Sequence, residues 1–120
     1  MKIHRFTFGL TLSLLLSFFL TLAAVAAAAP AGSLQILAPA DHAQLDAGEA
    51  YPLEYAVVLG PGDDHFHVWV DSERSPGIHD LKGTYRLPKL TPGEHVITLK
   101  LVDKGHVPTG PQTSIRVSVK

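Results

Sequence analysis

The sequence predicts an all-β domain: an immunoglobulin- or fibronectin-like β-sandwich of six to seven antiparallel strands. Three observations lead there. Beyond residue 30 apolar side chains recur at every second position, and no stretch carries the 3.6-residue period of a helix. Turn residues break these runs at nearly even spacing, as in Gly60-Pro61-Gly62-Asp63, Pro76-Gly77 and Pro92-Gly93. The alternating part is about ninety residues long, enough for one core and not two.

Residues 1–28 stand apart. Lys2 and Arg5 give a basic start, and from Phe6 to Ala40 there is no charged side chain. Leu and Phe dominate Phe6–Leu22, and small residues follow in the run from Ala23 to Ala29. A basic start, an apolar stretch and an Ala-x-Ala zone make a secretory signal peptide, cut after Ala26 or Ala28, ahead of Pro30. The competing reading is an uncleaved anchor, because the apolar run can span about 30 Å of hydrocarbon. In both readings the domain over residues 29–120 lies outside the cytoplasm, periplasmic or secreted, and any membrane contact runs through the signal segment alone.

The strands follow in order. Ser33–Leu37 alternates up to Pro39, and Asp41–Gly48 reads as a polar connection. Tyr51–Leu59 places Leu53, Tyr55, Val57 and Leu59 on one side and Glu54, Ala56 and Val58 on the other. His65–Asp71 is the next strand, followed by a Ser72–Gly77 loop and a short strand over Gly83–Leu87. Glu94–Val102 is the longest strand, and Asp103–Pro111 is a loop. Thr113–Val119 closes the domain, with Thr113, Ile115, Val117 and Val119 inward. Each inward aliphatic side chain contributes about 1.5–3 kcal/mol on burial.

Composition excludes several classes of function. With Lys2 and Arg5 removed from the 10 basic residues, eight remain against 11 acidic ones, and no basic stripe suits nucleic acid. There is no cysteine, and the one methionine is Met1, so the processed chain has no sulfur ligand. Thiol redox chemistry, iron–sulfur clusters and sulfur-ligated copper(I) are thereby excluded.

Six histidines remain after processing: His42, His65, His67, His79, His95 and His106. His65 and His67 are two apart on a strand, so they leave the same face about 7 Å apart. Two imidazoles so placed can close on one metal ion with a further ligand from elsewhere, and His106 in its loop is the candidate third ligand. Asp63 and Asp64 can add ligands or fix imidazole tautomers. Nitrogen and oxygen donors alone suit zinc, copper(II) or nickel. The alternative is that the pair decorates an outer face without binding anything. His79 reads as a surface residue, His42 is assigned nothing, and His95 reads as an imidazole tying a turn to backbone. Strand parity sends Phe66, Val68 and Val70 to the core and His65, His67 and Trp69 to the other face. An outward Trp69 is a candidate interaction residue. A bulge that switched faces would bury it and close the histidine pair.

Three stretches carry a resemblance: Asp64-His65-Phe66-His67-Val68-Trp69-Val70-Asp71; Leu90-Thr91-Pro92-Gly93-Glu94-His95 with Leu99-Lys100-Leu101-Val102-Asp103; and His106-Val107-Pro108. Over roughly Asp63–Lys120 the chain resembles a group of small, signal-bearing bacterial proteins with an immunoglobulin-like domain of unknown function. Phe66, Lys104 and Thr109 stand where the resemblance would place histidine. It implies the fold and supplies no activity.

Two functional readings follow. One is an exported, non-enzymatic binding module holding a divalent metal ion or small ligand through surface histidines. The other is a structural or interaction module that docks another cell-envelope protein. Catalysis lacks its signatures: Ser72 and Ser75 lie near His79 and Asp80, but no Gly-x-Ser-x-Gly elbow frames them and no glycine loop cradles phosphate.

Overall fold

Period-two alternation becomes two stacked sheets in the computed structural model, which describes residues 30–120. The signal segment expected over residues 1–28 lies outside the described residues. Eight strands form: β1 (Ser33–Ala38), β2 (Ala43–Leu45), β3 (Pro52–Val58), β4 (His65–Val70), β5 (Glu73–Arg74), β6 (Lys82–Arg86), β7 (Gly93–Val102) and β8 (Pro108–Val119). One sheet has the order β1-β3-β6, and the other β2-β8-β7-β4-β5. Among the described residues there is no helix, and the all-β sandwich expected from the sequence is the fold observed.

The inner faces are those the alternation marked. Leu53, Tyr55 and Val57 of β3 pack in one cluster with Phe66 and Val68 of β4, Ile97, Leu99 and Leu101 of β7, and Ile115, Val117 and Val119 of β8. Tyr55 and Phe66 meet edge to face, with ring centroids 4.9 Å apart. Residues directly opposite in an antiparallel pair share a face. Phe66 stands opposite Leu101 and Val68 opposite Leu99, all buried between the sheets. His67 opposite Lys100 and Trp69 opposite Thr98 therefore belong to the outer face, so no bulge within β4 reverses its parity.

Departures from the expected elements lie at the edges. The connection expected over Asp41–Gly48 contains β2, which pairs in parallel with β8 through Ala43–Val117, Gln44–Ser118 and Leu45–Val119. The loop after β4 contains β5, which pairs with Trp69 and Val70. The loop expected to reach Pro111 is shorter, because β8 resumes pairing at Pro108 opposite Val102 after an irregular step between Lys100 and Val102. What remains is a tight turn, Asp103–Val107, at the same end of the sheet as the start of β4.

Candidate metal centre

The site is built where β4 begins. The Asp64 N–H donates to the Val102 carbonyl at 2.9 Å, which carries the β4–β7 pairing past His65. His65 and His67 then leave the outer face together, as their spacing requires. They are not surface residues, however: each is only 2% exposed.

The cover comes from the chain beyond β5, running along the free edge of β4. Ser75 N–H donates to the Val68 carbonyl at 2.8 Å, and Phe66 and Ile78 exchange both backbone bonds, at 3.2 and 2.9 Å. Between those two pairings Pro76 and Gly77 stand opposite His67 alone, the two-against-one count of a β-bulge. The bulge folds the edge over the histidines. A β-carbon on Gly77 would come within 2.9 Å of His65 Cδ2 and 3.1 Å of His65 Nε2, so only glycine lets the backbone lie this close. Ser75 locks the arrangement. Its hydroxyl accepts from the Val68 N–H at 2.9 Å and donates to the Pro76 carbonyl at 2.8 Å.

His106 arrives from the Asp103–Val107 turn. The Asp103 carboxylate accepts from Gly105 N–H at 2.8 Å and from Val107 N–H at 3.0 Å, while its carbonyl accepts from His106 N–H at 3.0 Å. These bonds hold His106 at φ 63°, in the left-handed region. Its imidazole is thereby turned onto the β4 pair.

The three rings converge on one point. His65 Nε2 and His67 Nε2 are 3.2 Å apart, and His106 Nδ1 lies 3.1 Å from each. A metal ion about 2.0–2.1 Å from all three nitrogens would stand about 1 Å off their plane, with angles of about 100° between them. These angles are close to tetrahedral and leave a further coordination position open.

Proton placement makes the convergence chemically specific. His65 Nδ1 lies 2.9 Å from Asp64 Oδ2, and His67 Nδ1 lies 2.8 Å from the Ser75 carbonyl. Both partners only accept, so each Nδ1 carries a proton, and in its neutral form each ring directs its Nε2 lone pair at the shared point. Carboxylate and carbonyl partners of this kind fix the tautomer and orientation of metal-bound imidazoles. Burial pushes the His67 pKa down, aided by Arg74 and the neighbouring histidines and opposed by the Ser75 bond, which favours the neutral ring that a metal requires. The hydrogen bond from His65 holds the Asp64 carboxyl below its ordinary value. Without a metal, a single Nδ1–H on His106 is the donor available to the two buried lone pairs.

His79, expected at the surface, is exposed but belongs to this neighbourhood. Its ring lies against His65, with centroids 4.8 Å apart and planes inclined at 33°. Donor atoms of Asp64, His65 and His79 all lie within 4.8 Å of one another. A cleft of about 410 Å³ is lined by Gly62, Asp63, Asp64, Asp103, Lys104 and Gly105, and so includes Asp64 and the residue before His106 in the turn. Asp63 itself serves the framework: its carboxylate accepts from Gly60 N–H and from the Thr109 hydroxyl.

The remaining candidates lie elsewhere. Trp69 is half-buried on the outer face, with Lys100 Nζ 4.8 Å from its ring centre. His95 ties down a turn, as its sequence context suggested: Nε2 bonds the Thr91 carbonyl at 2.7 Å and Nδ1 bonds Asp71 at 2.7 Å. His42 is exposed and joins no cluster.

The fold has a solved counterpart. The chain is similar to a structure described as Clostridium thermocellum CbhA fibronectin(III)-like modules, with a TM-score of 0.57 and 18% identity, covering 74% of this chain and 95% of that one. This likeness bears out the immunoglobulin-like class of fold. No protein-family model matches the chain, and no curated protein matches it.

Proposed function

We propose that this chain is an exported, non-enzymatic fibronectin(III)-like module that binds one divalent transition-metal ion, zinc or copper(II), through His65, His67 and His106. We further infer that it belongs with the small signal-bearing bacterial immunoglobulin-like proteins that its histidine-bearing stretches resemble. The observation that carries the metal reading is the convergence of three imidazole nitrogens at 3.1–3.2 Å, two of them buried with their protons held on the far side of the ring. Bringing two buried lone pairs together is costly unless a cation sits between them. The adjoining cleft has three carboxylates against one lysine, which suits the approach of a cation.

Absence of catalysis is supported by the surroundings. The Ser75 hydroxyl is committed to backbone partners, and His67 addresses the Ser75 carbonyl rather than that hydroxyl, so this serine is not a nucleophile beside a free base.

Zinc in excess at pH 7.5 tests the reading. Binding at one hundred times Kd adds about 2.7 kcal/mol, a rise in Tm of about 10 °C or more for a domain of this size. His106→Ala, in an exposed turn, should fold and lose that rise, while His42→Ala keeps it. Equal melting with and without zinc would overturn the proposal. In the reading as an interaction module, the half-buried Trp69 beside Lys100 is the docking residue for a cell-envelope protein. Trp69→Ala would then lose a captured partner, while His106→Ala would keep it.

A further inference from the structure

The outer face of the five-stranded sheet carries a second cluster, centred on Trp69. Trp69 of β4 stands opposite Arg74 of β5 on one side and Thr98 of β7 on the other, so the three share this face. Thr98 stands opposite Ser114 of β8, and in the next row Lys100 stands opposite Gln112. The Thr98 and Ser114 hydroxyls are bonded at 2.7 Å, and Lys100 Nζ lies 4.8 Å from the Trp69 ring centre. The sequence holds 11 acidic residues, yet no carboxylate among the described residues pairs with Arg74 or Lys100. Two carboxylates near this face are committed elsewhere: Asp71 accepts from His95 and the Val96 N–H, and Glu94 accepts from the Ser118 hydroxyl. We propose that this face binds an acidic polysaccharide, with one uronate ring packed on Trp69 and carboxylates held by Arg74 and Lys100.

Charge complementarity selects an anion, and the remaining side chains select a sugar. A half-buried indole offers a flat apolar surface to the C–H face of a pyranose ring. Around it stand hydroxyls and an amide, from Thr98, Ser114 and Gln112, which suit the hydroxyls at the rim of such a ring. Arg74 and Lys100 flank the ring from strands on either side of β4, about 10 Å apart. A sugar seated on Trp69 therefore brings its own carboxylate, or that of the next sugar, to one cation or the other. Arg74 can take a carboxylate through two parallel N–H bonds. An acidic peptide fits less well. The face has no apolar pocket for peptide anchors beside Trp69, and the edge of β4 is already paired by β5 and the bulge, so no free backbone is left for an added strand. Single-stranded nucleic acid needs a run of cations along its phosphates, and this face offers few. The inference is independent of the metal reading, because none of these residues belongs to the histidine trio.

Affinity electrophoresis in native gels containing polygalacturonate is the test. EDTA is present throughout, so that no metal ion bridges the protein to the polymer. The protein should be retarded by polygalacturonate and much less by uncharged dextran, polyglutamate or single-stranded DNA. Trp69→Ala should abolish the retardation. Arg74→Gln, at an exposed edge position that leaves the core untouched, should weaken it about tenfold through loss of charge-assisted bonds. Lys100→Ala should weaken it as well, while Lys82→Ala on the other sheet and His106→Ala should bind as the unaltered protein does. No retardation in polygalacturonate would overturn the proposal. Equal retardation by polyglutamate or single-stranded DNA would overturn it too, since charge alone would then suffice. So would retardation that survives both Trp69→Ala and Arg74→Gln.

Discussion

Two histidine arrangements in this small domain use the same side chain in opposite ways. At His95 both ring nitrogens meet acceptors, the Asp71 carboxylate and the Thr91 carbonyl, each at 2.7 Å. Only the doubly protonated ring satisfies both. Asp71 and then Thr91 accordingly push the His95 pKa up, against a smaller opposing effect of burial. At the β4 cluster each buried ring has one acceptor on Nδ1 and another imidazole at Nε2, and burial pushes His67 down. One site is completed by a proton and the other, in the proposed reading, by a cation shared among three rings. What separates them is the number of acceptors around each ring, and histidine content alone says nothing about it.

The sharpest way to break the contrast is to remove a ring from each side. His67→Ala empties a buried volume and leaves the Ser75 carbonyl without its partner, so the metal-free domain should lose about 2–4 kcal/mol, read by urea unfolding. It should also lose its response to zinc. Gly77→Ala comes next. Its β-carbon would meet the His65 ring, displacing Nε2 from the shared point, and zinc affinity should fall about tenfold or more in a competition titration. If affinity stays unchanged, the bulge does not position the trio.

His95→Gln should cost less, about 1 kcal/mol, because Asp71 is exposed and its charge is screened by solvent. Its pH dependence carries the information. His95 has a folded pKa raised above its ordinary 6.5, so its contribution is complete below 6.5 and is lost as pH rises through the folded value. Asp71 has a folded pKa below its ordinary 3.8, owing to the Val96 N–H and His95, which outweigh desolvation. Its contribution is present above 3.8 and lost as pH falls through the folded value. The difference between the unaltered protein and His95→Gln should therefore be greatest between about pH 4 and pH 6.5 and should shrink toward pH 9. A difference that grows with pH would contradict the doubly protonated ring. The smallest effect belongs to Lys100→Ala, which removes a cation from the half-buried Trp69 at about 0.5 kcal/mol, with no change in zinc response.

How much of this was legible in the sequence depends on distance along the chain. The parity of β4 follows from its own residues: Phe66 and Val68 inward, His65 and His67 together outward. Period-two geometry carries that without tertiary information. The candidate third ligand, His106, was named from its loop and lies where the three nitrogens meet. Burial of the pair was not legible, because an outer face has no reason to be covered until an edge segment folds over it. The bulge at Pro76-Gly77 exists only relative to its partner strand, so a local reading gives a loop there. His79 is at the surface, as expected, but its contact with His65 was not legible for the same reason: the two become neighbours only after the bulge has turned the chain. A signal was available in hindsight, since Ser75-Pro76-Gly77 places a turn two residues before His79. The edge strands β2 and β5 are three and two residues long, too short to show alternation.

The central claim is that His65 and His67 aim unprotonated Nε2 atoms at one point shared with His106. A long-range proton–nitrogen correlation spectrum of the imidazoles, taken before and after one equivalent of zinc, tests it most directly. The metal-free protein should show His65 and His67 as neutral rings protonated on Nδ1. Zinc should then shift both Nε2 resonances together with His106 Nδ1, and leave His95 unmoved. An Nε2 proton on either ring of the pair, or zinc shifts that fall elsewhere, would contradict the account.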